Sequence, residues 1–200
     1  MSNTTTYKIK NLPIMIDNVR IPGISGMIGI SSCPGLREDY VFDLYSESLM
    51  DDVQAIKGWG ASVVITLMDD AELQRLGVRD LGRSVVNLNM IWLHLPLHNL
   101  GLPEAQFNEK WRLISPSLCN LLREGQRVLI HCREGVGRAA LAAARLLLDL
   151  GFTPEDSISM VRKARPGSLL LHSQEKHIYS VYEANAESSH AQNKVLNAMQ

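Results

Sequence analysis

Three cysteines in 200 residues, with no CxxC pair among them, are too few and too scattered for a disulfide framework. Cys33, Cys119 and Cys132 therefore read as reduced thiols, and a cytoplasmic location is expected. No metal site and no organic cofactor is called for by the pattern of potential ligands. A formal net charge of −1 leaves little field to draw nucleic acid or an anionic membrane, so neither is an expected partner. No apolar run approaches the ~18 residues a membrane span requires. The opening MSNTTTYKIKNLPIM has no basic segment followed by an apolar stretch, so no secretory leader is expected. Internal repeats and long linkers are also missing. What remains is ordinary globular composition, 46% hydrophobic and 20% charged, in a length that suits one domain with a sizeable core.

Helical and strand patterns alternate along the chain. ISGMIGI (24–30) reads as a strand and SSCPGLRED as the loop after it. SESLMDDVQAIKGWG (46–60) repeats apolar residues at helical spacing, with Gly60 as its stop. ASVVITL (61–67) is a β-branched run of strand length, and DDAELQRLG (69–77) a short helix opened by acids and closed by glycine. IWLHLPL (91–97) predicts a strand, 103–125 an amphipathic helix and QRVLIH another strand. TPEDSISMVRKARPG (153–167) has a threonine cap, a first-turn proline and a Pro166-Gly167 stop. Strands alternating with helices predict an α/β domain with a central, largely parallel sheet flanked by helices. The expected organisation is a polar segment over 1–20, the domain over 20–182 and a polar, frayed tail over 183–200.

In such sheets chemistry sits where strands lead into helices. VLIHCREGVGRAALAAARLLLDLG (128–151) is one such junction: strand, six-residue turn, then a helix apolar nearly all round. The N–H groups of Cys132, Arg133, Glu134, Gly135, Val136 and Gly137 and the first helical turn would converge on one point, an anion cradle made from orphan donors and the positive helix end. Cys132 lies on its floor, where the same dipoles favour a thiolate. Arg138 returns on the first helical turn with a fork suited to two phosphoryl oxygens. A nucleophile beneath a phosphate-shaped hole fits phosphoryl transfer to sulfur.

HCREGVGR resembles the signature of cysteine-dependent protein phosphatases, with five residues between cysteine and arginine. SSCPG (31–35), WGASVVITLMDDAELQRLGV (59–78), HLPL (94–97) and SLLLHSQEKHIY (168–179) are similar to the small dual-specificity group, above all its kinase-associated phosphatase-like branch. The likeness covers roughly residues 20–182 and implies the phosphotyrosine-phosphatase-like fold. It also implies a phosphocysteine intermediate on Cys132 held by Arg138 and the loop amides, with Gln174 placing the hydrolytic water. Phosphorylated proteins or peptides would be the substrates, and phosphate or vanadate the ligands of the empty site.

The chain departs from the family at two places. The family's acid is an aspartate in the loop after the IWLHLPL strand, whereas PLHNLGLPE has Asn99 there. An amide cannot protonate a leaving alkoxide, a service worth about 10²–10⁴-fold. His98 and Glu104 are the substitute acids. Many relatives also carry Ser or Thr after the arginine, where this chain has Ala139. Three readings stand: a slow phosphatase, one with a relocated acid, or a phosphate-recognising pseudophosphatase module.

Rival readings fail on context. GVGRAA mimics a dinucleotide fingerprint, but Glu155, the acid it would need, opens a helix instead of ending a second strand. A sulfurtransferase loop would place arginine where Gly137 stands. Cys33 and Cys119 read as packed thiols, and His94 and His131 as satisfied core histidines. Asp51, Asp52, Asp69 and Asp70 read as helix-start charges or solvated faces, and Arg162, Lys163 and Arg165 as a solvated helix end, with attraction of an anionic substrate as the alternative.

Overall fold

The computed structural model describes residues 14–36, 45–98 and 102–198, with side chains at 45–48 and 188–198 left aside. Five strands form one sheet: β1 (Asp17–Arg20), β2 (Met27–Ser31), β3 (Ala61–Thr66), β4 (Ile91–His94) and β5 (Arg127–His131). Their spatial order is β1-β2-β5-β3-β4. All neighbours are parallel except β1, which runs antiparallel along the outside of β2. A parallel sheet covered on both faces must be apolar on both. Accordingly Val63, Val64 and Ile65 of β3 and Val128, Leu129 and Ile130 of β5 are buried in unbroken succession.

The helices are α1 (Tyr45–Trp59), α2 (Asp70–Arg75), α3 (Leu81–Asn87), α4 (Ala105–Arg123), α5 (Arg138–Asp149), α6 (Pro154–Ala164) and α7 (His172–Ala198). Every residue of α5 from Arg138 to Leu148 is buried. Its alanines let it lie close to β2 and β5 on one side and to α4, α6 and α7 on the others. Capping follows the sequence signals. Thr153 Oγ1 accepts from the Asp156 N–H, and Asp69 and Glu72 form a reciprocal capping box on α2.

Several elements differ from expectation. DNVR forms β1 although only Val19 of the four is buried, because pairing with β2 supplies what its polar sequence does not. LGRSVVN forms α3, packed on β4 so closely that a Cβ on Gly82 would sit 2.5 Å from the Trp92 ring. The strand expected over 91–97 ends at His94, before Pro96. Leu95 and Leu97 still donate to the Thr66 and Leu67 carbonyls, which keeps the chain alongside β3. The expected frayed tail after Glu183 is the continuation of α7. Asp52 is the clearest correction: it is fully buried mid-helix and accepts from Gly35 N–H at 2.8 Å and Ile14 N–H at 3.1 Å.

The register pairs Ser31 with His131 and His131 with Thr66, so β2, β5 and β3 end together. His131 is fully buried, its Nε2 2.7 Å from the Thr66 hydroxyl, which also accepts from Trp92 Nε1 at 2.8 Å. Burial, helped by the Arg138 charge, pushes this imidazole from 6.5 down to about 4. The folded chain therefore binds the proton less readily than the unfolded chain. Stability is complete above pH 6.5 and is lost as pH falls through the window to about 4, by on the order of 3 kcal/mol. Urea midpoints measured from pH 7 to 4 will show this slope, and His131→Gln will flatten it. An equal slope in the variant would mean that other groups carry it.

Candidate active site

The turn from β5 into α5 is held from outside. His131 O accepts from Leu67 N–H at 3.1 Å and Arg133 O from Cys33 N–H at 3.0 Å. Glu134 O accepts from Arg165 Nη2 at 2.7 Å, and Val136 O from Leu169 N–H at 3.1 Å. In a trans peptide the N–H points opposite to its carbonyl. Tying these carbonyls outward therefore turns the N–H groups of Cys132, Glu134, Gly135 and Gly137 inward. One of them is already engaged: Gly135 N–H donates to Cys132 Sγ at 3.2 Å. Gly135 has φ +79°, and a Cβ there would lie 2.5 Å from the Ser31 carbonyl oxygen, so the loop can pass β2 only as glycine.

Arg138 sits deeper than its expected place at the rim. Its Nη1 and Nη2 grip the Glu72 carboxylate at 2.6 and 2.8 Å, and Nη1 also donates to Leu97 O at 2.9 Å. Of five N–H donors, Nε–H and the second Nη2 hydrogen keep no partner among the described residues. These two share one edge of the guanidinium and make a second fork for an anion. Burial alone would raise the Glu72 carboxyl. The Arg138 hydrogen bonds, the Asp69 backbone N–H and the guanidinium charge outweigh it and hold that carboxyl below its ordinary value.

Cys132, Arg133, Glu134, Val136, Gly137, Arg138 and Gln174 line one cavity of about 260 Å³. The buried Gln174 places its amide nitrogen 3.5 Å from where a Gly137 Cβ would stand. His98 and Glu104 are not among the described residues lining the cavity. Their side chains are 75% and 71% exposed and face each other at 3.9 Å. Asn99 lies outside the described residues. The other two thiols stay protonated: burial, then the charges around it, pushes Cys33 up to about 12, and burial with Asp149 pushes Cys119 up to about 11.

A family model described as cyclin-dependent kinase inhibitor 3 (CDKN3) matches residues 3–162. The chain belongs to the CDKN3 family. It is 29% identical over 144 residues to the Homo sapiens cyclin-dependent kinase inhibitor 3 and 26% identical over 142 residues to that of Mus musculus. Both matches cover 70% of this chain, and the chain spans 64% of the length of these relatives. Protein tyrosine phosphatase type IVA 3 of Bos taurus is 28% identical over 127 residues, covering 61% of this chain and 65% of its own length. Among solved structures, kinase associated phosphatase with its catalytic-site cysteine replaced by serine superimposes with a TM-score of 0.74 at 24% identity. That match covers 88% of this chain and 98% of the other. PTPMT1 gives 0.65 at 16% identity, over 88% and 99% of the two chains. These likenesses show the phosphatase fold.

In this CDKN3-family chain the sequence reading missed Glu72, Asp17 and two arginines. Arg165 bridges Asp17 Oδ2 of β1 at 2.5 Å and the Glu134 carbonyl, so it braces the cradle from behind. Arg162 reaches Leu169 O at 2.6 Å and also pairs with Glu175. Neither is the solvated helix end expected, although Lys163 is exposed. If Glu72 orients the Arg138 fork, Glu72→Gln should weaken phosphate binding about tenfold in calorimetry, the low end for a charge-assisted hydrogen bond. Unchanged affinity would show that the Leu67 and Leu97 carbonyls suffice.

Proposed function

We propose that the chain is a cysteine-dependent protein phosphatase of the dual-specificity type, acting on phosphorylated protein or peptide side chains in the cytoplasm. One observation carries this reading: inward-turned loop amides, the free Arg138 fork and the Cys132 sulfur face one cavity. Cys132 Sγ attacks phosphorus, the S–P bond forms and the P–O bond to the leaving group breaks. A water placed by Gln174 then attacks phosphorus, the S–P bond breaks and phosphate leaves. Loop amides and Arg138 hold the equatorial oxygens through both steps, so catalysis is chiefly positioning and charge stabilisation. Residues 20–182 form the catalytic unit, and the Asp17–Arg165 bridge draws β1 into it.

Cys132→Ser should abolish turnover of an aryl phosphate while vanadate still binds, because the amides and the fork remain. Arg138→Lys should weaken both, since an ammonium cannot grip Glu72 and phosphate with two forks. A Cys132→Ser chain that retains more than about a tenth of the rate, a barrier change under ~1.4 kcal/mol, would falsify the covalent route.

The proton donor is the slow part of this reading. Asn99 cannot donate, so activated aryl esters, whose phenolates leave as anions, should turn over better than phosphotyrosine peptides. Asn99→Asp is expected to raise the phosphopeptide rate at least about tenfold and to change the activated ester little, a modest share of what general acids supply. If it changes neither, and His98→Ala or Glu104→Gln flattens the alkaline limb of the pH–rate profile, the donor has moved. Turnover no higher than that of a free thiol on every substrate would leave a phosphate-recognising module in its place.

A further inference from the structure

Two apolar side chains stand in solvent at the mouth of the catalytic cavity: Leu170 is 77% exposed and Leu171 42%. Single exposed leucines are common and need no cause. This pair differs because the backbone that presents it is fixed. Leu169 adopts φ +55°, a left-handed conformation that costs a non-glycine residue about 1–2 kcal/mol. Its own side chain is fully buried. Its N–H is given to the loop carbonyl of Val136, and its carbonyl accepts from Arg162 at 2.6 Å. Arg162 Nε also donates to Ser168 O at 3.3 Å and the same guanidinium pairs with Glu175. The chain thus reverses at Leu169 and aims the next two side chains at the cavity from a braced position.

We infer that Leu170 and Leu171 form an apolar wall for the leaving group and select aryl phosphates, phosphotyrosyl esters above all, over short alkyl ones. This rests on the phosphatase reading of the same site. A cavity of about 260 Å³ is below the ~300–1,000 Å³ that holds a drug-sized ligand. It suits a phosphoryl group and one ring. An aromatic ring brings a large apolar face to such a wall, whereas a serine ester offers a single methylene between phosphate and backbone.

The test compares two hydrolysis-proof probes, phenylphosphonate and methylphosphonate, by calorimetry on the full chain. The unchanged protein should bind the phenyl probe about tenfold more tightly, in the range by which apolar pockets discriminate. Leu170→Ala with Leu171→Ala should bring the ratio close to one, and Leu170→Phe should raise it. Both positions are exposed enough for these changes to leave folding alone, and a melting curve checks this. A ratio near one in the unchanged chain overturns the proposal. So does a ratio that survives the double substitution, or a parallel fall in both affinities, which would make the loop merely structural. A collapsed ratio in a chain that never turns over aryl phosphate keeps the wall and removes the enzyme. Turnover with an unmoved ratio does the reverse.

Discussion

A trans peptide cannot point its carbonyl and its N–H the same way, and the Cys132–Gly137 turn depends on that constraint. Four carbonyls are taken from outside by four parts of the fold: Leu67 after β3, Cys33 after β2, Arg165 after α6, and Leu169 before α7. The inward N–H groups are the consequence, and buried donors without acceptors are costly. An anion relieves that cost. The preference for phosphate that the proposed function requires would therefore be a property of the tethers as much as of the residues that touch it. Asp52, remote from the cavity, belongs to the same scheme, because its carboxylate fixes Gly35 and so the loop that carries Cys33.

The second constraint is the charge balance of Arg138. A buried guanidinium loses hydration, which by itself would lower its pKa, yet the Glu72 hydrogen bonds and the Cys132 charge reverse the direction and keep it cationic. Glu72 does this while closing the capping box of α2. Three structures thus share one carboxylate: a helix start, the arginine and the arginine's orientation. Because Glu72 neutralises the cation, the attraction for a phosphate dianion that the proposed function requires would come from the direction of the free fork, the loop amides and the α5 N-terminus. Little of it would come from net positive charge, in keeping with a chain whose formal charge is −1.

Legibility in the sequence follows distance along the chain. The cradle was readable because strand, turn and helix are contiguous, and both ends of the turn carry residues whose chemistry is unusual together. Gln174, singled out through its resemblance to a family position, lines the same cavity. Glu72 was not, since its partner lies 66 residues away and its role as a helix cap already accounts for it. Arg162 and Arg165 were hidden the same way: cations near a helix C-terminus need no further cause, so nothing in VRKAR signals their bridges to Glu175 and Asp17. Asp52 sits beside core positions on α1, but helical periodicity cannot say whether a buried carboxylate has N–H partners. β1 was missed because DNVR has one buried residue and owes its existence to β2.

On the proposed function, these distances also bear on how the cradle could stand intact beside an altered acid position. The arginine meets the start of the acid loop through the Leu97 carbonyl, at 2.9 Å from Arg138 Nη1. That contact is made by backbone, so it does not depend on which side chains follow it in the sequence. No carbonyl of the cradle is tied, among the described residues, by a side chain of the acid loop. On the proposed function, phosphate binding and proton delivery would then rest on largely different interactions, with the Leu97 carbonyl as a contact they share. On that reading, an aspartate-to-asparagine change would remove proton transfer and leave the anion site as it was. A change at Glu72 or Arg165 could not be so confined, because each supports a group that, on the same reading, every phosphate ester would meet.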